Sequence, residues 1–309
     1  MDAGDFVLPV DKPEGPTSHD VVGMARRALG TRRVGHTGTL DPFASGVRVL
    51  CFGRATRLAE YLPGLDKRYV AQARRGVATD TLDREGEVVA EDDGWSKLSA
   101  EAVETALRSF VGEVQQVPPQ FSAKKVHGEA MHRKARRGER VELAPVSITV
   151  HGMELLHFDA PHVTFDVRCS TGTYVRALAR DLGRALGVGA HLTALRRTSV
   201  GPFQLDDALA VDDLERAEAV QARRVSPLRA LGHLPTVEVE EREAVRIRHG
   251  QRVRIETPVA PGDGGAGPAA GPVAVAQRSD LVVVAQGAEL VAVARLEDGV
   301  VKPTKVFPA

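Results

Sequence analysis

The sequence predicts an α+β fold: a mixed, mostly antiparallel central sheet flanked by helices, followed by a small β-rich C-terminal domain. Strand-like and helix-like segments intermix without the regular βαβ repeat of a doubly wound fold. Val163, Phe165, Val167 and Cys169 alternate strictly with polar or small residues, the period of a half-buried strand. At 309 residues the chain is also longer than a single hydrophobic core usually grows. Composition shifts at 232–237 (GHLPTV), and short strands dominate beyond it, so the expected domains are 1–231 and 232–309.

Taken in order, the first helix is expected over Ser18 to Leu29, where Val21, Met24, Ala25 and Leu29 recur at helical spacing. Thr17 with Asp20 forms a capping-box pattern in which Asp replaces Glu, and Gly30 is the stop. Residues 31–45, TRRVGHTGTLDPFAS, have neither periodicity and read as a structured loop. Val47 to Phe52 is a short apolar strand, and Ala55 to Leu62 a helix closed by Pro63-Gly64. Lys67 to Val89 reads as strand, turn and strand around Asp83 to Gly86. Ser99 caps a helix that runs through Phe110, with Val103, Leu107 and Phe110 on one stripe. After the alternating strand a further helix spans about Tyr174 to Leu186 and ends at Gly187. In the C-terminal part, Leu290 to Leu296 is a late strand and 258–272, PVAPGDGGAGPAAGP, is a mobile loop.

Hydrophobic residues at 43% and charged residues at 27% are those of an ordinary soluble chain, which excludes wholesale disorder. No run of 18 apolar residues occurs, and acids occupy the N-terminus where a secretion signal carries bases. Cys51 and Cys169, neither in a C-x-x-C pair, are too few for a disulfide framework or a four-cysteine zinc site. A cytoplasmic location, off the membrane, is therefore expected. Lys+Arg and Asp+Glu both number 41, a balance that by itself counts against a nucleic-acid partner. Local counting reverses this: between Phe121 and Arg140 seven bases, Lys124, Lys125, Arg133, Lys134, Arg136, Arg137 and Arg140, face two acids. Such a segment suits either a solvated face or contact with phosphates.

The strongest candidate for chemistry is Gly35 to Pro42, GHTGTLDP. Pro42 restricts Asp41 to extended conformations, so its carboxylate is held in place. Metal-binding motifs, a P-loop and a nucleophile elbow are all missing from the sequence. Gly262, Gly264 and Gly267 spell G-x-G-x-x-G but lie between prolines with no helix pattern after them, so they are not a dinucleotide site.

Seven separated segments, in order, resemble the TruB family of tRNA pseudouridine synthases: DKPEGPTS from Asp11, GHTGTLDP from Gly35, GRATR from Gly53, DKRY from Asp66, ATDTLDREG from Ala78, CSTGTYVR from Cys169, and GAHL to LRR from Gly189 to Arg197. The resemblance implies the pseudouridine synthase fold, with a PUA-like C-terminal domain. It also implies isomerisation of uridine 55 in the T loop of tRNA, by base flipping and without cofactor or metal. Asp41 would be the essential catalytic aspartate, acting as nucleophile or as base. Arg176 would pair with it, Tyr69 would stack on the base, and Tyr174 and Leu195 would complete the pocket wall.

For RNA binding, the resemblance implies His36 entering the T loop, Lys12, and Lys124, Lys125, Arg133, Arg136 and Arg137 of the closing segment 121–140. His132 and Ser199 depart from the family pattern, which bears on RNA contacts and not on the catalytic set. The expected protein is a monomer with tRNA as partner and no obligatory protein partner. Two alternatives are a guide-RNA-dependent rRNA pseudouridine synthase and a tRNA-folding chaperone. A glycosidase would need a second carboxylate in a comparable motif, and none occurs.

Overall fold

The computed structural model describes residues 4–121, 125, 126, 129–131, 137, 141–262 and 280–308, with backbone alone for 125, 126, 129 and 130. In the first half the strands are β1 (Phe6–Lys12), β2 (Val34–His36), β3 (Ser45–Phe52), β4 (Lys67–Arg75), β5 (Val77–Thr79), β6 (Val88–Glu91), β7 (Gly112–Gln116), β8 (Lys125–Val126) and β9 (Glu129–Ala130). Then come β10 (Val146–Asp159), β11 (His162–Cys169), β12 (Ala190–Val200), β13 (Phe203–Gln204) and β14 (Leu209–Ala210). The C-terminal part holds β15 (Thr236–Glu238), β16 (Val253–Arg254), β17 (Leu281–Gln286), β18 (Glu289–Glu297) and β19 (Val300–Val306). Helices are α1 (Ser18–Ala28), α2 (Ala100–Arg108), α3 (Val175–Ala185), α4 (Ala217–Arg223), α5 (Pro227–Ala230) and α6 (Glu241–Arg248).

A ten-stranded sheet runs β14-β1-β3-β12-β4-β11-β10-β7, with β13 on β12 and β2 on β3. Only β1–β14 and β3–β12 are parallel, so the sheet is mixed and mostly antiparallel as expected. Near its middle, β4 buries Tyr69, Ala71 and Ala73 on one face. They join Val163, Phe165 and Val167 of β11 in a core covered by α2 through Val103 and Leu107, and by α3 through Leu178 and Leu182. Each fully buried side chain of this size contributes roughly 1.5–3 kcal/mol, so this face anchors both helices. Gly183 permits α3 to lie close to the start of β12: a Cβ there would sit 2.2 Å from the Ala190 nitrogen.

The second sheet, β15-β17-β18-β19-β16, forms the β-rich C-terminal part. Its Leu281, Val283, Leu290 and Val293, with Phe307, share one core with Val7, Val47, Val49 and Leu58 of the large sheet's side. Arg54 and Arg57 strengthen the junction by donating to the carbonyls of Pro308 and Val306.

Several expectations need correction. Residues 31–45 include β2, whose three residues pair with Phe52, Cys51 and Leu50; so short a strand carries no periodic signal. Ala55 to Leu62 is not an α-helix: a 3-10 helix covers Gly53–Leu58, and the Ala59 and Tyr61 amides bond three residues back, the tighter pattern of short pieces. The first strand expected in 67–89 divides into β4 and β5, because the chain turns at Gly76 (φ 81°) and β5 pairs with β6 in a separate hairpin. α6 interrupts a region expected to be all strand. Its N-cap is Glu240 where Ser, Thr, Asp or Asn is usual, with Glu243 at N3 accepting from the Glu240 amide at 3.0 Å, and it buries only Ala244 and Ile247. The Thr17–Asp20 box is present, with Thr17 N donating to Asp20 Oδ2 at 2.8 Å and Asp20 N to Thr17 Oγ1 at 3.1 Å. Most of the expected loop 258–272, from 263 onward, lies outside the described residues.

Candidate active site

Asp41 sits on the loop between β2 and β3, and its neighbours are tethered on both sides. Ser18, buried at the start of α1, donates its hydroxyl to the Leu40 carbonyl at 2.9 Å and accepts from the Leu40 amide at 3.0 Å. The Pro42 carbonyl accepts from Gly15 N at 2.9 Å and from Lys12 Nζ at 3.2 Å. Arg48, fully buried on β3, donates to the Gly38 carbonyl. The DKPEGPTS segment is therefore a scaffold beneath the GHTGTLDP loop.

That arrangement corrects one expectation. Lys12, expected to meet RNA, is fully buried, and its ammonium is spent on the carbonyls of Pro13, Pro16 and Pro42. Burial, with Arg48 adding to the effect, pushes its pKa down to about 8.

Arg176 is the second residue of α3, and each of its five N–H groups can be assigned a partner. Nε meets Asp41 Oδ2 at 2.9 Å and Nη2 meets Asp41 Oδ1 at 3.3 Å. Nη2 also donates to the Phe121 carbonyl at 2.9 Å. Nη1 donates to the Thr81 carbonyl at 2.9 Å and to Asp83 Oδ2 at 3.2 Å. Asp83 is in turn held by Thr81 Oγ1 at 2.6 Å and by the Glu85 amide at 3.1 Å. One guanidinium thus lies between two carboxylates.

Their exposure differs: the Asp83 side chain is 6% accessible, whereas Asp41 is 35% accessible. Of the two, Asp41 is the one that lines a cavity. Burial raises its pKa above the ordinary carboxylate value, the Arg176 guanidinium opposes this, and the neighbouring Asp83 adds to the rise.

Asp41 opens onto a cavity of about 260 Å³ lined by Leu40, Tyr69, Tyr174, Arg176, Leu195 and Arg197, among others. The volume falls just below the roughly 300–1,000 Å³ of drug-sized pockets. All five residues expected to form the active site, Asp41, Tyr69, Tyr174, Arg176 and Leu195, therefore border one cavity. Tyr69 and Arg197 are register partners across β4 and β12, and Arg197 faces Gly46 on β3. Burial raises the Tyr69 pKa, with the Arg197 guanidinium opposing it, so the phenol stays neutral. Lys67, also on the rim, donates to the Pro63 and Leu65 carbonyls, and burial pushes its pKa down to about 8.

His36 lies outside this lining, at the end of β2, edge-on to His19 with ring centroids 6.2 Å apart. Burial, with Arg48 and His19 nearby, pushes its pKa down to about 4, so the ring is neutral. Lys124, Arg133 and Arg136 lie outside the described residues, only the backbone of Lys125 is described, and Arg137 is exposed. Sequence reasoning assigned no role to Asp83, Ser18 or Gln116. The first two lie inside motifs already quoted, which was the available signal; Gln116 had none.

The pattern for "TruB family pseudouridylate synthase (N terminal domain)" matches residues 26–175, and that for "tRNA pseudouridylate synthase B C-terminal domain" matches 176–231. The tRNA pseudouridine synthase B of Symbiobacterium thermophilum is 51% identical over 249 residues, 80% of this chain and 82% of that protein. Its namesake in Paenarthrobacter aurescens is 44% identical over 305 residues, 96% and 93% of the two chains. Among solved structures, a Cbf5-Nop10-Gar1 complex matches with TM-score 0.75 at 27% identity, covering 100% of this chain and 86% of that one. An H/ACA RNP bound to a substrate RNA containing 2'-deoxyuridine matches with TM-score 0.72 at 26% identity, covering 98% and 85%.

Fold and site together define a pseudouridine synthase. The two matched family patterns together span residues 26–231, which contain Asp41 and Arg176. This chain belongs to the TruB family of pseudouridylate synthases.

Proposed function

We propose that this chain is a tRNA pseudouridine synthase B that converts uridine 55 of the T loop to pseudouridine. The observation that carries the reading is Asp41, a partly accessible carboxylate clamped by Arg176 at the edge of the cavity. The reaction breaks the N1–C1′ bond, turns the uracil in place, joins C5 to C1′, and moves one proton from C5 to N1. Atoms and electrons balance with no co-reactant. Asp41 is the catalytic residue, as nucleophile or as the base that removes a sugar proton. Arg176 keeps it ionised and oriented, Tyr69 stacks on the base, and Tyr174 and Leu195 wall the pocket.

A folded T loop hides its uridine, so the base must be flipped into this cavity. His36 enters the vacated space, and its neutral ring suits insertion among bases. The segment 121–140 supplies the phosphate contacts, chiefly through Lys124, Lys125, Arg133, Arg136 and Arg137. The part spanning 1–231 carries catalysis, and 232–309 is a small PUA-like module; their separate sheets support that division. The protein acts as a cytoplasmic monomer on tRNA. Among the described residues no helix is long and apolar enough to cross a membrane.

The test is incubation with an unmodified T-arm stem-loop tritiated at C5 of its uridines, without added metal or cofactor. Tritium release at the position-55 equivalent is expected, and its absence overturns the reading. A chaperone reading is separated by Asp41→Asn, which is expected to abolish release while RNA binding persists. Transfer-RNA refolding by that variant would add the second role.

A further inference from the structure

Gln116 ends β7, the edge strand of the large sheet, and is fully buried. Both atoms of its amide are spent on the backbone of one residue. Oε1 accepts from the Tyr174 N–H at 2.9 Å, and Nε2 donates to the Tyr174 carbonyl at 3.1 Å. Tyr174 is the N-cap of α3 and caps it with no side-chain hydrogen bond. Its carbonyl also accepts from the amides of Ala177 and Leu178, at 3.0 and 3.1 Å. Gln116 therefore grips the residue from which the helix starts. Two further bonds tie the segment after β7 to the same helix: Arg180 Nη2 to the Val117 carbonyl at 3.0 Å, and Arg176 Nη2 to the Phe121 carbonyl at 2.9 Å.

We infer that Gln116 is a positioning residue for the isomerisation, acting through the Tyr174 backbone to set both the Tyr174 ring and the Arg176 guanidinium against Asp41; this rests on the pseudouridine synthase reading above. Tyr174 borders the cavity, and Arg176 leaves the helix two residues later. A helical turn is stiff, so displacement of its first residue passes directly to Arg176. Misplacement by about 1 Å can cost on the order of a hundredfold in rate. The Tyr174 N–H, left unpaired and partly buried, would supply the force for such a shift, while the carbonyl keeps its bonds from Ala177 and Leu178.

Two variants test the assignment. Gln116→Met keeps length and packing but removes both bonds. Gln116→Glu keeps the acceptor and loses the donor while ionised; when protonated, its carboxylic acid restores donor and acceptor alike. Burial and the facing Tyr174 carbonyl both favour the protonated form. Single-turnover tritium release is measured at saturating stem-loop, with the dissociation constant measured separately. Gln116→Met is expected to be about ten- to a hundredfold slower than the unaltered chain at every pH, with RNA affinity within about twofold. Gln116→Glu is expected to match it near about pH 8 and to regain rate relative to the unaltered chain as pH falls toward about 6.

Wild-type turnover in both folded variants at the higher pH overturns the assignment, as does a loss confined to affinity. So does a Gln116→Glu deficit that is the same at every pH. If Gln116→Met fails to fold, the pH ratio of Gln116→Glu decides alone. No release from the unaltered chain removes the activity itself, and the assignment with it.

Discussion

Arg176 engages Asp41 side-on, Nε to Oδ2 at 2.9 Å and Nη2 to Oδ1 at 3.3 Å, with the guanidinium almost inaccessible to solvent and the carboxylate open to the cavity. Geometry of this kind fixes the plane of the carboxylate as well as its charge. The pair is not isolated: Asp83 occupies the opposite side of the same guanidinium.

The two neighbours of Asp41 act on its titration in opposite directions. Its activity requires the ionised form, so turnover is lost as pH falls through its pKa, which burial has raised. Arg176→Met removes the influence that lowers this pKa, and the acid limb of the rate profile is expected to move to higher pH. Asp83→Asn removes a neighbouring negative charge, and the limb is expected to move to lower pH. Both variants should be slower at the optimum, by roughly a hundredfold or more for Arg176→Met, since each loosens the clamp. Single-turnover rates between pH 4 and 8 check the opposed shifts; displacement of both limbs in one direction contradicts the electrostatic account.

Ser18 holds the residue immediately before Asp41 by two bonds to Leu40. Ser18→Ala leaves a buried amide and carbonyl without that partner, at a cost of about 1–3 kcal/mol. Turnover is expected to fall by roughly tenfold or more with little change in RNA affinity, because the loop loses its register. Urea unfolding and the kcat against KM comparison give the two readouts.

Gly46 lies where β3 meets β12, at φ 106°, and a Cβ there would sit 2.2 Å from the Arg197 carbonyl oxygen. Gly46→Ala therefore combines a disfavoured backbone with a clash against another backbone, which cannot yield. A loss of about 3 kcal/mol or more is expected, against about 1–2 kcal/mol for Gly15→Ala, which shares the disfavoured backbone (φ 102°) but whose Cβ would meet nothing within 4 Å. Thermal unfolding of the two proteins compares them directly.

Neutralising Arg136 and Arg137 together is expected to weaken stem-loop binding and to reduce the slope of log affinity against log salt by about 1–2. Filter binding over a salt series measures it. An unchanged slope removes these residues from the phosphate interface, and Lys12, buried under the catalytic loop, is expected to leave the slope unaffected when changed.

The alternation in 163–169, the α1 capping box and the periodic α2 and α3 were legible in the sequence because each is a local pattern of three to a dozen residues. β2 and the division of 67–89 were not, since three-residue strands exist only through their partners. α6 was hidden by charge density, with two buried residues too few to display a stripe. In the site, Asp41, Tyr69 and Arg176 were reachable through motif resemblance. Lys12 was expected at the RNA through the resemblance alone, whereas three inward carbonyls here hold its ammonium.

Residue order alone was enough for the α+β class and the family, and for the expectation that Asp41 is the reactive aspartate, because motif spacing and hydrophobic period are written along the chain. Which groups act on that aspartate was a matter of three dimensions. Arg176 stands 135 positions away from Asp41, and 93 from Asp83. They meet because β3, β12 and β4 lie side by side and α3 packs on the same sheet. Gln116, a plain polar residue in sequence, became a helix anchor only because the edge strand ends beside Tyr174. Charge and hydrogen-bond partners separated by so many residues are chosen by the packing of the whole sheet, and no local pattern encodes that choice.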